Sequence, residues 1–149
     1  MYFYFLLSHK SKKYIFPLQY IFNFASNKLK LSVYNIDNLV AFAQILHKSE
    51  RIVLVGHVNP DGDSIGSLMG MKWYLEGLGK KAVPVVPNPY PEFLGFLDMQ
   101  KEVLPYSEQP EAVKEVVADS DLIVCLDFNS LKRIDALGDV IAAAGCTKV

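Results

Sequence analysis

The sequence predicts an α/β fold, a mostly parallel sheet with helices on both faces. Two observations carry this reading. The short apolar runs RIVLV (51–55) and LIVCL (122–126) are too brief for helices and almost free of polar residues, as expected of strands buried on both faces. Between such runs, apolar residues recur every three or four positions, the spacing of an amphipathic helix. Strands alternating with helices mean parallel strands joined by crossovers.

Taken in order, NIDNLVAFAQILHKS carries a helical stripe of Ile36, Leu39, Val40, Ala43 and Leu46, opened by Asn35 or Asp37 as a cap. RIVLV is the first buried strand. After the turn NPDGD, the residues Ile65, Leu68, Met69, Leu75 and Leu78 make a second helix that Gly77 and Gly79 close. KKAVPVV is a second strand, and Pro84 within it predicts an edge position or a bulge. VPNPYPEF reads as a loop leading to a short helical piece around Leu94–Leu97. EAVKEVVADS is a helix with Ala112, Val113, Val116 and Val117 inward, and DLIVCLD is a third strand. A further helix is expected over Ile134–Ala144, and TKV opens a fourth strand.

At 149 residues the chain suits one ordinary domain with a single core. Half its residues are apolar and a fifth charged, which is globular composition. A net charge of −1 argues against binding nucleic acid through a broad basic surface. Cys125 and Cys146 lack CxxC spacing and are too few for a disulfide scaffold, so each reads as a small core residue in a reducing cytoplasm.

A seam divides the chain. Every Asp, Glu and Gly lies after Tyr34, whereas residues 2–34 hold five lysines and draw 24 of their 33 residues from Phe, Tyr, Leu, Ile, Asn and Lys. These six amino acids share A/T-rich codons. The preferred reading of residues 1–34 is therefore a mis-assigned start or an unstructured extension. A targeting peptide and a basic, aromatic surface anchor stay open. The apolar stretch in it is broken by Pro17, Gln19 and Asn23 and is too short to span a bilayer. Residues 35–149 carry ten basic and sixteen acidic residues, a net charge of −6.

In open α/β sheets, ligands bind beyond the carboxyl ends of the strands. His57, Asp61 and Asp63 follow the first strand, and Asp127 ends the run LIVCL, so two strands deliver four candidate metal ligands to one edge. Carboxylates with an imidazole suit Mn²⁺ or Mg²⁺. Two such ions about 3.5–4 Å apart can clamp a phosphoryl group, and a strand-end carboxylate such as Asp127 is placed to bridge them. Asp63 sits at a helix start, where exposed N–H groups favour an anion. Gly62 fits a turn bringing backbone close to the ions, and Pro60 stiffens it. Each residue alone has a plainer reading: Asp63 as a helix cap, His57 as structural, Asp61–Gly62 as a common turn. The HxxxDxD spacing together with the second strand-end Asp is what points to a metal site.

GHVNPDGDSIGS resembles the first motif of the DHH phosphoesterase superfamily, and CLDFNSLKRI resembles the second, with Asp127 as the motif aspartate. The resemblance runs from about Asn35 to the last residue. Its NPDGDSIGS core is most similar to the branch holding the bacterial bifunctional oligoribonuclease/pAp phosphatases. The resemblance implies one Mn²⁺ on His57 and Asp61, a second on Asp63, and Asp127 as the bridge, with Mg²⁺ as the other candidate ion. It implies Asn129 and Arg133 near substrate phosphate, although Arg133 also reads as a solvated charge at a helix start. The implied reaction is attack of a metal-activated hydroxide on short RNA or on 3′-phosphoadenosine 5′-phosphate (pAp), in the cytoplasm and away from membranes. A homodimer of the full-length protein is compatible with it.

The superfamily's third motif, Asp-His-His, would come just beyond the fourth strand, and a smaller recognition domain after that. The expected catalytic His therefore lies past Val149. No catalytic residue beyond the metal ligands is assigned, and this stretch alone is expected to bind metal poorly and turn over little. Family II inorganic pyrophosphatases share the HxxPDxD opening and are the runner-up; cyclic-dinucleotide phosphodiesterases and RecJ-type exonucleases are near alternatives. Gly62 and the IGS that follows Ser64 fit the oligoribonuclease branch better. A non-catalytic remnant or interaction module is the alternative outside enzymes.

Overall fold

The structure, a computed structural model, describes residues 4–9 and 12–17 as backbone and residues 36–149. It divides into two units, Met1–Lys48 and Ser49–Val149. In the first, strands β1 (Tyr4–His9) and β2 (Lys12–Pro17) pair antiparallel, with Tyr4 opposite Pro17 and His9 opposite Lys12. Helix α1 spans Ile36–Lys48, where a helix is expected; of its stripe Leu46 is buried, Val40 and Ala43 are exposed, and the side chains of Ile36 and Leu39 lie outside the described ones. Its Asn35 or Asp37 cap lies outside the described residues and side chains, as do residues 1–3, 10–11 and 18–34 of the leader.

The second unit runs β3 (Arg51–Val55), α2 (Gly62–Gly77), β4 (Lys81–Val86), β5 (Leu104–Pro105), α3 (Pro110–Asp119), β6 (Leu122–Cys125), α4 (Leu137–Ala143) and β7 (Thr147–Lys148). The five strands are all parallel, in the order β5-β4-β3-β6-β7. The expected fold class is the observed one. β3 lies at the centre with Ile52 to Val55 all buried, which is why its sequence is continuously apolar.

Alternation along β3 sorts the helices onto two faces. Val53 and Val55 share a core with Val113 and Val117 of α3 and with Leu137 and Ile141 of α4. Gly56, in the opposite phase, approaches Ser64 and Leu68 of α2. Burying each such Val, Leu or Ile contributes about 1.5–3 kcal/mol, so both layers hold the sheet in place. At the amino ends of the strands, the Asp121 carboxylate accepts from the N–H groups of Glu50 and Arg51 at 3.1–3.2 Å and joins the start of β3 to that of β6.

Three sequence expectations need correction. β4 is not the outermost strand, because β5, which the sequence did not reveal, pairs with Val85 and Val86. Pro84 is nonetheless tolerated for an edge-like reason. The Val85 carbonyl accepts from Gly56 N–H, so Val85 points to β3 and Pro84 to the other side, where β5 has not yet begun. The short helical piece lies at Glu92–Leu94 rather than at Leu94–Leu97, and it is a 3₁₀ turn. Finally, the expected helix over Ile134–Ala144 is broken. A 3₁₀ turn covers Leu131–Ile134, Asp135 adopts a left-handed φ of 45°, and α4 begins only at Leu137.

The segment between β4 and β5 is ordered by one buried carboxylate. Asp98 accepts from the Tyr90 hydroxyl at 2.9 Å and from the N–H groups of Glu102 and Val103 at 2.8 and 3.1 Å. Buried Lys72 of α2 pairs with Glu76 and, at 3.1 Å, with Glu102, tying this segment to the helix.

Candidate metal centre

Beyond the carboxyl end of β3 the chain runs Gly56-His57-Val58-Asn59-Pro60-Asp61 before α2 starts. Gly56 is required by close approach. A Cβ there would lie 2.8 Å from Ser64 Oγ and 2.9 Å from Leu68 Cδ1. The loop is held from two sides. Val58 N–H donates to the Arg133 carbonyl at 2.8 Å, and Asn59 N–H donates to Asn88 Oδ1 at 2.8 Å. Its left-handed residue is Asn59, with φ 51°, and not Gly62. Asparagine is among the few side chains that accept this conformation readily.

Asp61, rather than Asp63, is the cap of α2. Its Oδ1 accepts from Asp63 N–H and Ser64 N–H, both at 3.0 Å, which leaves Oδ2 for another partner. The bond from Ser64 N–H, with help from Asp63 N–H and the nearby His57, holds this carboxyl below the usual range.

His57 is buried, and its Nδ1 lies 2.8 Å from the Val58 carbonyl. A carbonyl only accepts, so Nδ1 carries a proton and donates to it, and Nε2 is the ring nitrogen that faces the site. That nitrogen is 3.2 Å from Asp127 Oδ2. At this distance the pair is satisfied by a proton on Nε2 or by a cation that both atoms coordinate. Asp127 reaches its position from the end of β6 with a left-handed φ of 64°.

Ligand atoms of His57, Asp61 and Asp127 all lie within 4.8 Å of one another, compact enough for one divalent ion. One imidazole nitrogen with two carboxylates fits Mn²⁺ or Mg²⁺. The structure thus gathers three of the four residues expected from the sequence. Asp63 is exposed in the first turn of α2, outside this trio. Asn129 and Arg133 are exposed on the turn after Asp127, and Arg133 also contributes its main-chain carbonyl to the His57 loop.

Two residues of the site escaped the sequence. Gly56 stands in the quoted motif, but its steric role depends on where Ser64 and Leu68 pack. Asn88 lies 29 positions from Asn59, with only a proline on each side to mark a turn.

A parallel sheet whose central strand ends in such a cluster is an α/β domain with a candidate metal centre at its carboxyl edge. Residues 51–149 match the model of the DHH family, N-terminal domain, and the chain belongs to that family. It is 40% identical over 80 residues to the bifunctional oligoribonuclease and PAP phosphatase NrnA of Thermus thermophilus, a match covering 52% of this chain and 24% of that protein. Its fold is similar to the crystal structure of an exopolyphosphatase-related protein from Bacteroides fragilis. There the TM-score is 0.75 and the identity 37%, over 78% of this chain and 34% of the other. The chain therefore spans about a quarter to a third of the length of these relatives. No helix among the described residues is long and apolar enough to cross a membrane.

Proposed function

We propose that this chain forms the first part of the catalytic domain of a Mn²⁺-dependent phosphoesterase acting in the cytoplasm on short oligoribonucleotides or on pAp. The observation that carries the reading is the His57 Nε2–Asp127 Oδ2 contact of 3.2 Å with Asp61 alongside, at the carboxyl edge of the sheet. Two strands and a helix start place these groups, so little reorganisation is needed to receive a cation. The similarity to the Thermus protein, whose name specifies oligoribonuclease and PAP phosphatase, supports the substrate class.

Divalent ions held by His57, Asp61 and Asp127 would supply positive charge that lowers the pKa of water and stabilises phosphoryl oxygens. The chain's own part is to hold and orient. His57 donates Nδ1–H to Val58 and aims Nε2 into the site. Asp61 spends one oxygen on the helix cap and offers the other, kept ionised by the same cap. Asp127 is proposed to bridge two ions and Asp63 to hold the second, with Mg²⁺ as the other candidate. Asn129 and Arg133 are proposed near the substrate phosphate. The activity belongs to a longer protein, in which a homodimer is compatible with this reading, and these 149 residues alone are expected to turn over little.

The test is phosphate and mononucleotide release from pAp, a diribonucleotide, pyrophosphate and a cyclic dinucleotide, by the full-length gene product with Mn²⁺. Release from the first two supports the proposal. Release from pyrophosphate or the cyclic dinucleotide alone moves the protein to a neighbouring branch, and no Mn²⁺-dependent release overturns the enzyme reading.

A further inference from the structure

The Asn88 amide, from the loop after β4, clasps Asn59 in the loop that carries the candidate ligands. Asn59 N–H donates to Asn88 Oδ1 at 2.8 Å, and Asn88 Nδ2 donates to Asn59 Oδ1 at 3.1 Å and to the Pro89 carbonyl at 3.1 Å. A backbone N–H can only donate, so the first bond fixes which end of the amide is oxygen, and the other two follow. The donors and acceptors used by the pair therefore match one another.

We infer that Asn88 is a positioning residue of the metal centre, acting through Asn59 to set the aim of His57 and Asp61. The chain between these ligands turns on a single left-handed residue, Asn59 (φ 51°), and the next residue, Pro60, has a fixed φ and no N–H. The torsions of Asn59 thus contribute to how far apart the two ligands stand. Asparagine tolerates this φ but is not confined to it, and Asn88 holds it there with bonds to both its main chain and its side chain. Val58 N–H to the Arg133 carbonyl fixes the other end of the same turn. The loops after β3, β4 and β6 are joined in this way around the trio, although no ligand comes from β4. Loss of an outer hydrogen-bond partner at a metal site characteristically costs about 10–100-fold in affinity.

This inference rests on the metal reading above. The experiment measures Mn²⁺ affinity of the full-length gene product by electron paramagnetic resonance of the free ion, with the melting temperature alongside. Asn88→Ala is expected to weaken Mn²⁺ about tenfold. Tyr90→Phe is the control, because it loosens the same segment at Asp98 without touching Asn59; it is expected to lower the melting temperature and leave the affinity within twofold. If Asn88→Ala does not fold, Asn88→Ser, whose short hydroxyl does not span both groups of Asn59, is read in its place. Affinity within twofold of the parent in the Asn88 variant overturns the inference, as does an equal loss in Tyr90→Phe, which would mark a general effect of the loop. A folded parent that binds no Mn²⁺ instead overturns the metal reading itself, and the inference with it.

Discussion

His57 Nε2 and Asp127 Oδ2 meet at 3.2 Å although they lie 70 residues apart and leave different strands. The register explains the meeting. Val55 pairs with Cys125, so β3 and β6 end level, and each candidate ligand follows its strand by two residues. Residue pairs at the ends of adjacent parallel strands share one edge by construction, and here that edge receives an imidazole and a carboxylate.

Asp127 has no substitute in this arrangement. Asp127→Ala in the full-length protein is expected to abolish turnover. Asp127→Asn, which keeps the shape and tolerates the φ of 64°, is expected to lose Mn²⁺ binding by more than the roughly 10–100-fold that loss of an outer partner costs. Near-parent rates in either variant would show that the ligand assignment is wrong.

Cys125 makes the opposite prediction. It is half-buried against the core, and burial pushes its thiol pKa up, so it is a neutral packing group. Cys125→Ala is expected to lower stability by about 1 kcal/mol and leave Mn²⁺ binding unchanged, read by denaturant unfolding and metal titration in parallel.

Gly56 and Ser64 are coupled. Gly56→Ala forces a Cβ against Ser64 Oγ and Leu68, an overpacking that costs about 1–3 kcal/mol. In a unit of this size that lowers the melting temperature by roughly 4–8 °C per kcal/mol. Ser64 Oγ is buried with no hydrogen-bond partner among the described residues, so Ser64→Ala is expected to be neutral or stabilising and to relieve part of the Gly56→Ala loss. A purely additive double variant contradicts the coupling.

Tyr90 predicts the alkaline behaviour. Burial, with the hydrogen bond to Asp98, pushes its pKa up to about 12 from 10. Between these values the unfolded chain has released the phenol proton and the folded chain has not. The contribution is thus complete below about pH 10 and lost as pH rises through 12. Tyr90→Phe is expected to flatten the fall in stability over that window, measured by urea unfolding at pH 9 to 11.5. An unchanged slope rejects the assignment.

Much of the second unit is legible in the sequence. β3, α2, β4, α3 and β6 fall within a residue or two of where periodicity places them, because each buries a face whose spacing is written locally. β5 was not legible, since Leu104–Pro105 is a strand only through pairing with Val85 and Val86. The break at Asp135 was hidden for a related reason: an apolar stripe continues across it, and only the left-handed φ interrupts the helix.

At the candidate site, the sequence by itself determined the donor chemistry: which residues carry imidazole and carboxylate, and that they follow strand ends. Tertiary structure alone decided that His57, Asp61 and Asp127 form a compact trio with Asp63 outside it, that Asp61 caps α2, and that Asn88 clasps Asn59. The physical reason is range. Hydrophobic periodicity and turn chemistry act over a few residues and are printed in the order of the chain, whereas strand register, close packing at Gly56 and a hydrogen bond across 29 positions exist only once the sheet has formed.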